Sequence, residues 1–150
     1  MKNLFTAADT AEIQQRLATL TSNRPALWGR MNAGQAMAHC AIALEAATGD
    51  REIKRVFIGR VLGRLVKPLA LGDDKPMKRN SPTAKEFIMS GEHDFDVERA
   101  RLSGLIDRFS TGGAAGCTTR PHAFFGPMTP DEWAVLMYKH LDHHLRQFGA

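Results

Sequence analysis

The segment Asp131–Phe148, DEWAVLMYKHLDHHLRQF, decides the fold of this chain because it is an amphipathic helix with histidines inside its apolar stripe. At about 100° per residue, His140 and His144 fall about 20° to either side of Trp133, in the middle of that stripe. Side chains four residues apart on a helix are neighbours, so two imidazoles at this spacing can close on one metal ion. The alternative interpretation is a pair of core histidines satisfied by hydrogen bonds.

Helical periodicity dominates the rest of the chain, and no segment keeps the sustained alternation of a β-strand. The sequence therefore predicts an all-α protein. Besides the final helix, we expect helices over Ala7–Thr21, from Asn32 to Thr48, over Glu52–Val66, and after Asp94 or Asp96. Asn32 with Gln35 predicts a capping box, and Thr129 with Glu132 predicts another at the start of the final helix.

The stretch from Arg51 to Lys67 carries six basic residues against one acid. We interpret it as an amphipathic helix that is stopped by Pro68 and followed by a loop over 71–83. The basic residues would form its solvated face, and its inner face would hold Ile53, Val56, Phe57, Val61 and Leu65. Such a patch can also attract an anionic partner. Nucleic acid is not expected, because no recognition-helix signature and no stacking pattern of aromatic residues accompany the charge.

Length and composition limit the class of protein. With 150 residues, 43% of them hydrophobic, the chain is expected to form one domain over residues 1–150. No apolar run approaches the ~20 residues of a membrane-spanning helix, and the N-terminus has no signal-peptide core. We therefore expect a cytoplasmic protein without a membrane partner. The apolar second helix and the exposed part of the basic helix suggest a homodimer.

His39 is the best candidate for a third metal ligand beside His140 and His144. It lies on the second helix among small side chains, which leave room for an ion, a water molecule and part of a substrate. Three neutral nitrogens are the ligand count of an open catalytic site. Imidazole suits several metals, so zinc is the first choice because it needs no redox partner, and nickel is the second. His143 is an alternative to His144, since its i,i+3 spacing from His140 is also feasible.

The remaining polar candidates are less specific. His122 lies in a loop next to Phe124 and Phe125, where it is a candidate catalytic acid or base, although it could also cap a helix or line the pocket. His93 is expected to be exposed. Gln147, three residues past His144, is a candidate hydrogen-bond donor behind the ligands, or else a solvated residue.

The sequences WGRMNAGQAMAHCAIALE (28–45) and PHAFFGPMTPDEWAVLMYKHLDHHLRQFG (121–149) resemble the DinB/YfiT-like superfamily of metalloenzymes, within it an uncharacterised bacterial branch. The resemblance runs from Leu27 to Gly149. It implies an up-down-down-up four-helix bundle, here with an extra short helix and irregular loops. It also implies a metal held by His39, His140 and His144.

Two functions remain open from the sequence. The first is a metal-dependent enzyme whose three-histidine site activates a bound thiol or water, as a thiol S-transferase or a hydrolase. Its partner would be a small-molecule substrate, such as a low-molecular-weight thiol. No Asp or Glu on the His39 face offers a general base, which fits thiol activation better than hydrolysis. The second is a non-catalytic binding or stress-response bundle protein that acts as a dimer.

Overall fold

The computed structural model describes residues 1–81 and 84–150, and this part of the chain is all-helical, as the sequence predicts. Its five α-helices are α1 (Ala7–Ala18), α2 (Ala33–Thr48), α3 (Phe57–Leu71), α4 (Phe95–Gly112) and α5 (Pro130–Gln147). Two 3₁₀ turns cover Lys85–Phe87 and Gly113–Gly116. Within the described ranges there is no strand, and the backbone pairs only in an isolated bridge between His122 and Gly126. Of the expected loop over 71–83, Leu71 belongs to α3, while Pro82 and Thr83 lie outside the described residues.

Four of the helices share one hydrophobic core. Helices α1 and α2 each pack against both α4 and α5, whereas α3 contacts α5 at the edge of this arrangement. Helix α2 is buried on nearly all sides because its many alanines allow neighbouring helices to approach closely. This burial carries His39 into the interior.

The two capping boxes form as predicted. The Asn32 side chain accepts from the backbone N–H of Gln35, and the Thr129 hydroxyl accepts from that of Glu132. In return, the side chains of Gln35 and Glu132 accept from the backbone N–H groups of Asn32 and Thr129. These caps satisfy backbone donors that a helix start leaves free, and so fix where α2 and α5 begin.

The apolar face of α3 points outward, so the prediction of an apolar inner face is wrong for this helix. Phe57 is 81% exposed and Leu65 is 72% exposed. The face that packs inward carries Gly59 and Gly63 instead, and a Cβ added at Gly63 would lie 2.0 Å from the carbonyl oxygen of Phe124. Helix α3 packs through the close approach of the Phe124 backbone to its glycine face, which only glycine allows. Its large apolar side chains therefore lie on the opposite face, towards solvent.

Pro68 lies inside α3, so the prediction that it ends the helix is also wrong. The last turn is supported from α5: the ammonium group of the buried Lys139 donates to the carbonyl of Ala70 at 2.7 Å and to that of Asp73 at 2.8 Å. Leu71 is buried at the same end. These contacts offset the helix hydrogen bond that proline removes.

None of the helices in the described ranges has the length and hydrophobicity that crossing a lipid bilayer would require.

Candidate metal centre

Three histidines from two helices come together in the interior. His39 comes from α2, and His140 and His144 come from α5, one turn apart. Each offers a ring nitrogen, and these nitrogens all lie within 4.8 Å of one another. The closest approach is between Nε2 of His39 and Nε2 of His140, at 2.9 Å. The structure therefore brings together the three residues that the sequence put forward as metal ligands.

His39 is held in one tautomer by a backbone carbonyl. Its Nδ1 lies 2.8 Å from the carbonyl oxygen of Phe87, in the 3₁₀ turn before α4. A carbonyl oxygen can only accept, so Nδ1 carries the proton and donates it. Nε2, which lies 2.9 Å from Nε2 of His140, is left unprotonated, so it can accept a hydrogen bond from His140 or bind an ion.

His144 is held in the same way by a side chain. Its Nδ1 lies 2.8 Å from Oε1 of Gln147, while the Gln147 amide nitrogen donates to the carbonyl of Trp28 at 2.7 Å. Because the amide nitrogen is committed to Trp28, the oxygen must face His144 and accept its proton. Gln147 is 3% exposed, so it is neither solvated nor a donor to the histidine. It accepts, which leaves Nε2 of His144 free for a ligand role.

Burial keeps all three imidazoles neutral. It lowers the pKa of His144 to about 3, lowers that of His140 well below its usual value, and lowers that of His39 as well. Neighbouring imidazole rings depress the pKa of His140 and His144 further. An imidazole must be neutral to bind a metal ion, so the set is in its ligating form at neutral pH.

The donor set fits one divalent ion. Nitrogens bound about 2.1 Å from a tetrahedral zinc ion stand about 3.4 Å apart. The three histidines bracket that spacing, with 2.9 Å for the closest pair and 4.8 Å as the outer limit. His39 and His144 are buried, while His140 keeps partial solvent access. The nitrogen spacing is therefore close to what one ion requires, and His140 is the ligand nearest to solvent.

His143 points elsewhere. Its ring is half-buried and meets the Trp28 indole edge-to-face, with the ring centres 5.7 Å apart. It is not part of the three-histidine group found in the described residues. The structure thus places His144, and not His143, beside His39 and His140. His93, which we expected to be exposed, is half-buried and lies 3.5 Å from a carboxylate oxygen of Glu98.

His122 lies apart from the three histidines, in the loop before α5. Its Nδ1 accepts from the backbone N–H groups of Phe124 at 3.1 Å and Phe125 at 3.0 Å. Burial, helped by the charge of Arg55, lowers its pKa to about 4. The neutral ring therefore carries its proton on Nε2 and can offer it as a donor. Its role as a catalytic acid or base stays a prediction.

Two backbone groups at the site had no signal in the sequence. The carbonyls of Phe87 and Trp28 orient His39 and Gln147, yet any residue type supplies a carbonyl. The closest hint in the sequence is the glycine at position 29. Its φ is 79°, and a Cβ there would lie 2.6 Å from the Gln147 amide nitrogen. A glycine next to Trp28 is consistent with a close approach, but it does not name the partner.

The described residues define an all-helical protein with a three-histidine group that could hold a metal ion. The chain belongs to the family described as "Protein of unknown function (DUF1569)", whose model matches residues 2–150. No curated protein and no solved structure matches the chain.

The assignment to the DinB/YfiT-like superfamily is therefore wrong, because the match is to DUF1569, a distinct family, and nothing shows membership of the other. The physical reason lies in the motif itself. One histidine on an early helix and an HxxxH pair on a late helix follow from helical periodicity, so they can arise wherever two helices face each other. The motif describes a type of site and not a line of descent.

Proposed function

We propose that this protein is a metal-dependent enzyme whose ion is held by His39, His140 and His144. One observation carries the proposal: two of the three rings have their Nδ1 protons committed to acceptors, so their Nε2 lone pairs are available in the interior. Without an ion, the Nε2–H of His140 can donate to Nε2 of His39 at 2.9 Å, but that one proton cannot also serve Nε2 of His144. Zinc is the proposed ion and nickel the second choice, since imidazole suits both.

The ion would supply Lewis acidity, which lowers the pKa of a bound thiol or water so that its anion attacks at neutral pH. The chain's own residues hold and orient the ligands: the Phe87 carbonyl positions His39, and Gln147 positions His144. The proposed reaction is transfer to a low-molecular-weight thiol, or hydrolysis. His122 is neutral, and its Nε2–H is proposed to donate a hydrogen bond to the substrate.

The test is elemental analysis of protein purified without a histidine tag. We expect about one equivalent of metal in the wild type and a loss of at least tenfold in His140→Ala. His143→Ala is the matched control, because it removes a neighbouring imidazole of the same helix that is outside the cluster. Wild-type protein without stoichiometric metal, or equal metal content in all three proteins, would contradict the proposal.

The exposed face of α3 favours a second candidate function, a non-catalytic binding module that forms a homodimer. Its large apolar side chains, among them Phe57 and Leu65, are solvent-exposed. A symmetric pair of α3 helices would bury these apolar faces against each other.

Sedimentation velocity tests the dimer. We expect a dimer for the wild type and a monomer for Leu65→Ser. Val97→Ser is the control, because Val97 is 64% exposed but lies on α4. A wild type that stays monomeric at all concentrations would overturn the dimer.

We also propose that α1, α2, α4 and α5 form an up-down-down-up four-helix bundle within a single domain over residues 1–150. The shared packing of α1 and α2 against α4 and α5 supports it. A single cooperative unfolding transition by circular dichroism is expected, and two separate transitions would contradict a single domain.

A further inference from the structure

A cavity of about 460 Å³ lies one helical turn from His39 on α2 and from His140 on α5. Helix α2 contributes Ala43 to its wall, four residues after His39, and α5 contributes Met137, three residues before His140. Phe87, whose carbonyl orients His39, lines it as well. This volume falls within the range of small-molecule sites.

The rim of the cavity is strongly cationic. Five basic side chains line it against one acid, Glu52: Arg51, Lys54, Arg55, Arg60 and Arg120. Arg51 is paired with Glu45, but the other four make no salt bridge with any part of the chain that the structure describes. Uncompensated charge of one sign around a concave surface raises the local concentration of anions.

Two buried donors of the cavity residues have no acceptor. They are Nε of Arg55 and Nε1 of Trp133, and within residues 1–81 and 84–150 no other buried side-chain nitrogen or oxygen is left without a partner. Trp133 is 3% exposed. Buried polar groups are normally paired, and an unpaired one costs free energy. Both donors belong to residues that line this cavity.

The rest of the lining is apolar. Trp133, Met137 and Phe87 provide aromatic and aliphatic surface, and His122 adds a neutral ring with a proton on Nε2. A simple inorganic ion would leave this surface unused, whereas an apolar molecule would leave the cations unpaired.

We propose that this cavity binds an organic anion with an aromatic or aliphatic body. Its carboxylate or phosphate would pair with Arg55 and Arg60, and its body would contact Trp133 and Met137. That this anion is the substrate of the metal centre rests on the proposed function, whereas the binding itself does not.

Isothermal titration calorimetry with 2-naphthoate and 2-naphthamide tests the charge requirement. The two probes have nearly the same shape, so we expect naphthoate to bind at least about tenfold more tightly, as a charge-assisted hydrogen bond would produce. A third probe, 2-naphthyl phosphate, distinguishes a phosphate site from a carboxylate site. Equal affinity for naphthoate and naphthamide, or no binding of either anion at millimolar concentration, would overturn the proposal.

Arginine variants test the location. Arg60→Gln and Arg55→Gln are each expected to weaken anion binding about tenfold. Arg64→Gln is the matched control, because Arg64 is exposed on the same helix one turn later but does not line the cavity. Equal weakening by Arg60→Gln and Arg64→Gln would show general attraction only and overturn the site. Arg60 is exposed, so its variant is expected to fold even if Arg55→Gln does not.

The same samples distinguish a failure of the anion site from a failure of the metal centre. Zinc content is measured in each, and naphthoate binding is measured before and after treatment with a chelator. Naphthoate binding that persists after chelation would show that the anion site does not need the metal, and only protein that lacks stoichiometric metal as purified would contradict the metal centre. Stoichiometric metal without a preference for the anion would contradict only the anion site.

Discussion

His144 donates its Nδ1 proton to Oε1 of Gln147 at 2.8 Å, three residues further along α5, and this bond determines which nitrogen faces the other two histidines. The amide is fixed in turn by the Trp28 carbonyl, so a loop before α2 sets the tautomer of a histidine on the last helix. Partners of this kind are the usual means by which a protein orients a metal-binding histidine.

Replacing Gln147 by Leu is expected to raise the dissociation constant for zinc about 10- to 100-fold, because His144 loses its orienting acceptor. Competition with a chromogenic chelator measures the change. Gln147→Glu is the control, since it keeps an acceptor for His144 while losing the donor to Trp28. It should bind zinc more tightly than Gln147→Leu. Equal zinc affinity in Gln147→Leu and the wild type would show that the bond has no part in binding.

Gly29→Ala is expected to destabilise the fold by about 2 kcal/mol, because alanine is strained at a positive φ. Its Cβ would also lie 2.6 Å from the Gln147 amide nitrogen. Urea unfolding measures the change. Gly104→Ala is the counterpart within α4, where a Cβ meets nothing within 4 Å, and it should stabilise by up to about 1 kcal/mol. If Gly29→Ala were no less stable than the wild type, the close approach at Gly29 would be refuted.

His122 is expected to make stability depend on pH. Burial lowers its pKa from 6.5 to about 4, so below pH 6.5 the unfolded chain binds a proton that the folded protein does not. The free energy of unfolding therefore has its full value from this group above pH 6.5. It falls by about 3 kcal/mol as the pH falls towards 4.

His122→Asn provides the comparison for this pH effect, because its side-chain oxygen can accept the same turn hydrogen bonds without titrating in this range. Unfolding free energies of both proteins are measured in chelator between pH 7 and pH 4. The wild type should lose about 3 kcal/mol relative to the variant. A difference that does not change with pH would show that His122 titrates normally in the folded state.

Lys139→Met is expected to destabilise the protein by about 1–3 kcal/mol, because the carbonyls of Ala70 and Asp73 lose their donor. The loss should be local, with faster hydrogen exchange in the last turn of α3. Lys75→Met removes an exposed lysine that pairs with the same Asp73 and should change stability by less than about 0.5 kcal/mol. Unchanged exchange at the end of α3 in Lys139→Met would contradict this support.

The sequence could not predict how the edge helix packs. Hydrophobic periodicity predicted an amphipathic helix over Glu52–Val66, which is right for residues 57–66 and wrong for 52–56, and it assumed that the apolar face turns inward. Gly59 and Gly63 reverse this, because the Phe124 backbone approaches the glycine face more closely than any side chain would allow. Which face of a helix is buried depends on the surface that packs against it, and that surface lies more than 60 residues away.

Local sequence patterns were sufficient to predict the all-helical class, the capped starts of α2 and α5, and the inward direction of His39, His140 and His144. These features depend on helical periodicity and on hydrogen bonds within one turn, which are local. The packing of α2 against α5 was needed to show that one nitrogen of each ring lies within 4.8 Å of the others. Tertiary packing also places the Phe87 carbonyl against His39 and the Trp28 carbonyl against Gln147, whose oxygen is thereby turned towards His144. The reason is that these contacts join segments far apart in the chain, and a backbone carbonyl has no signature in the sequence.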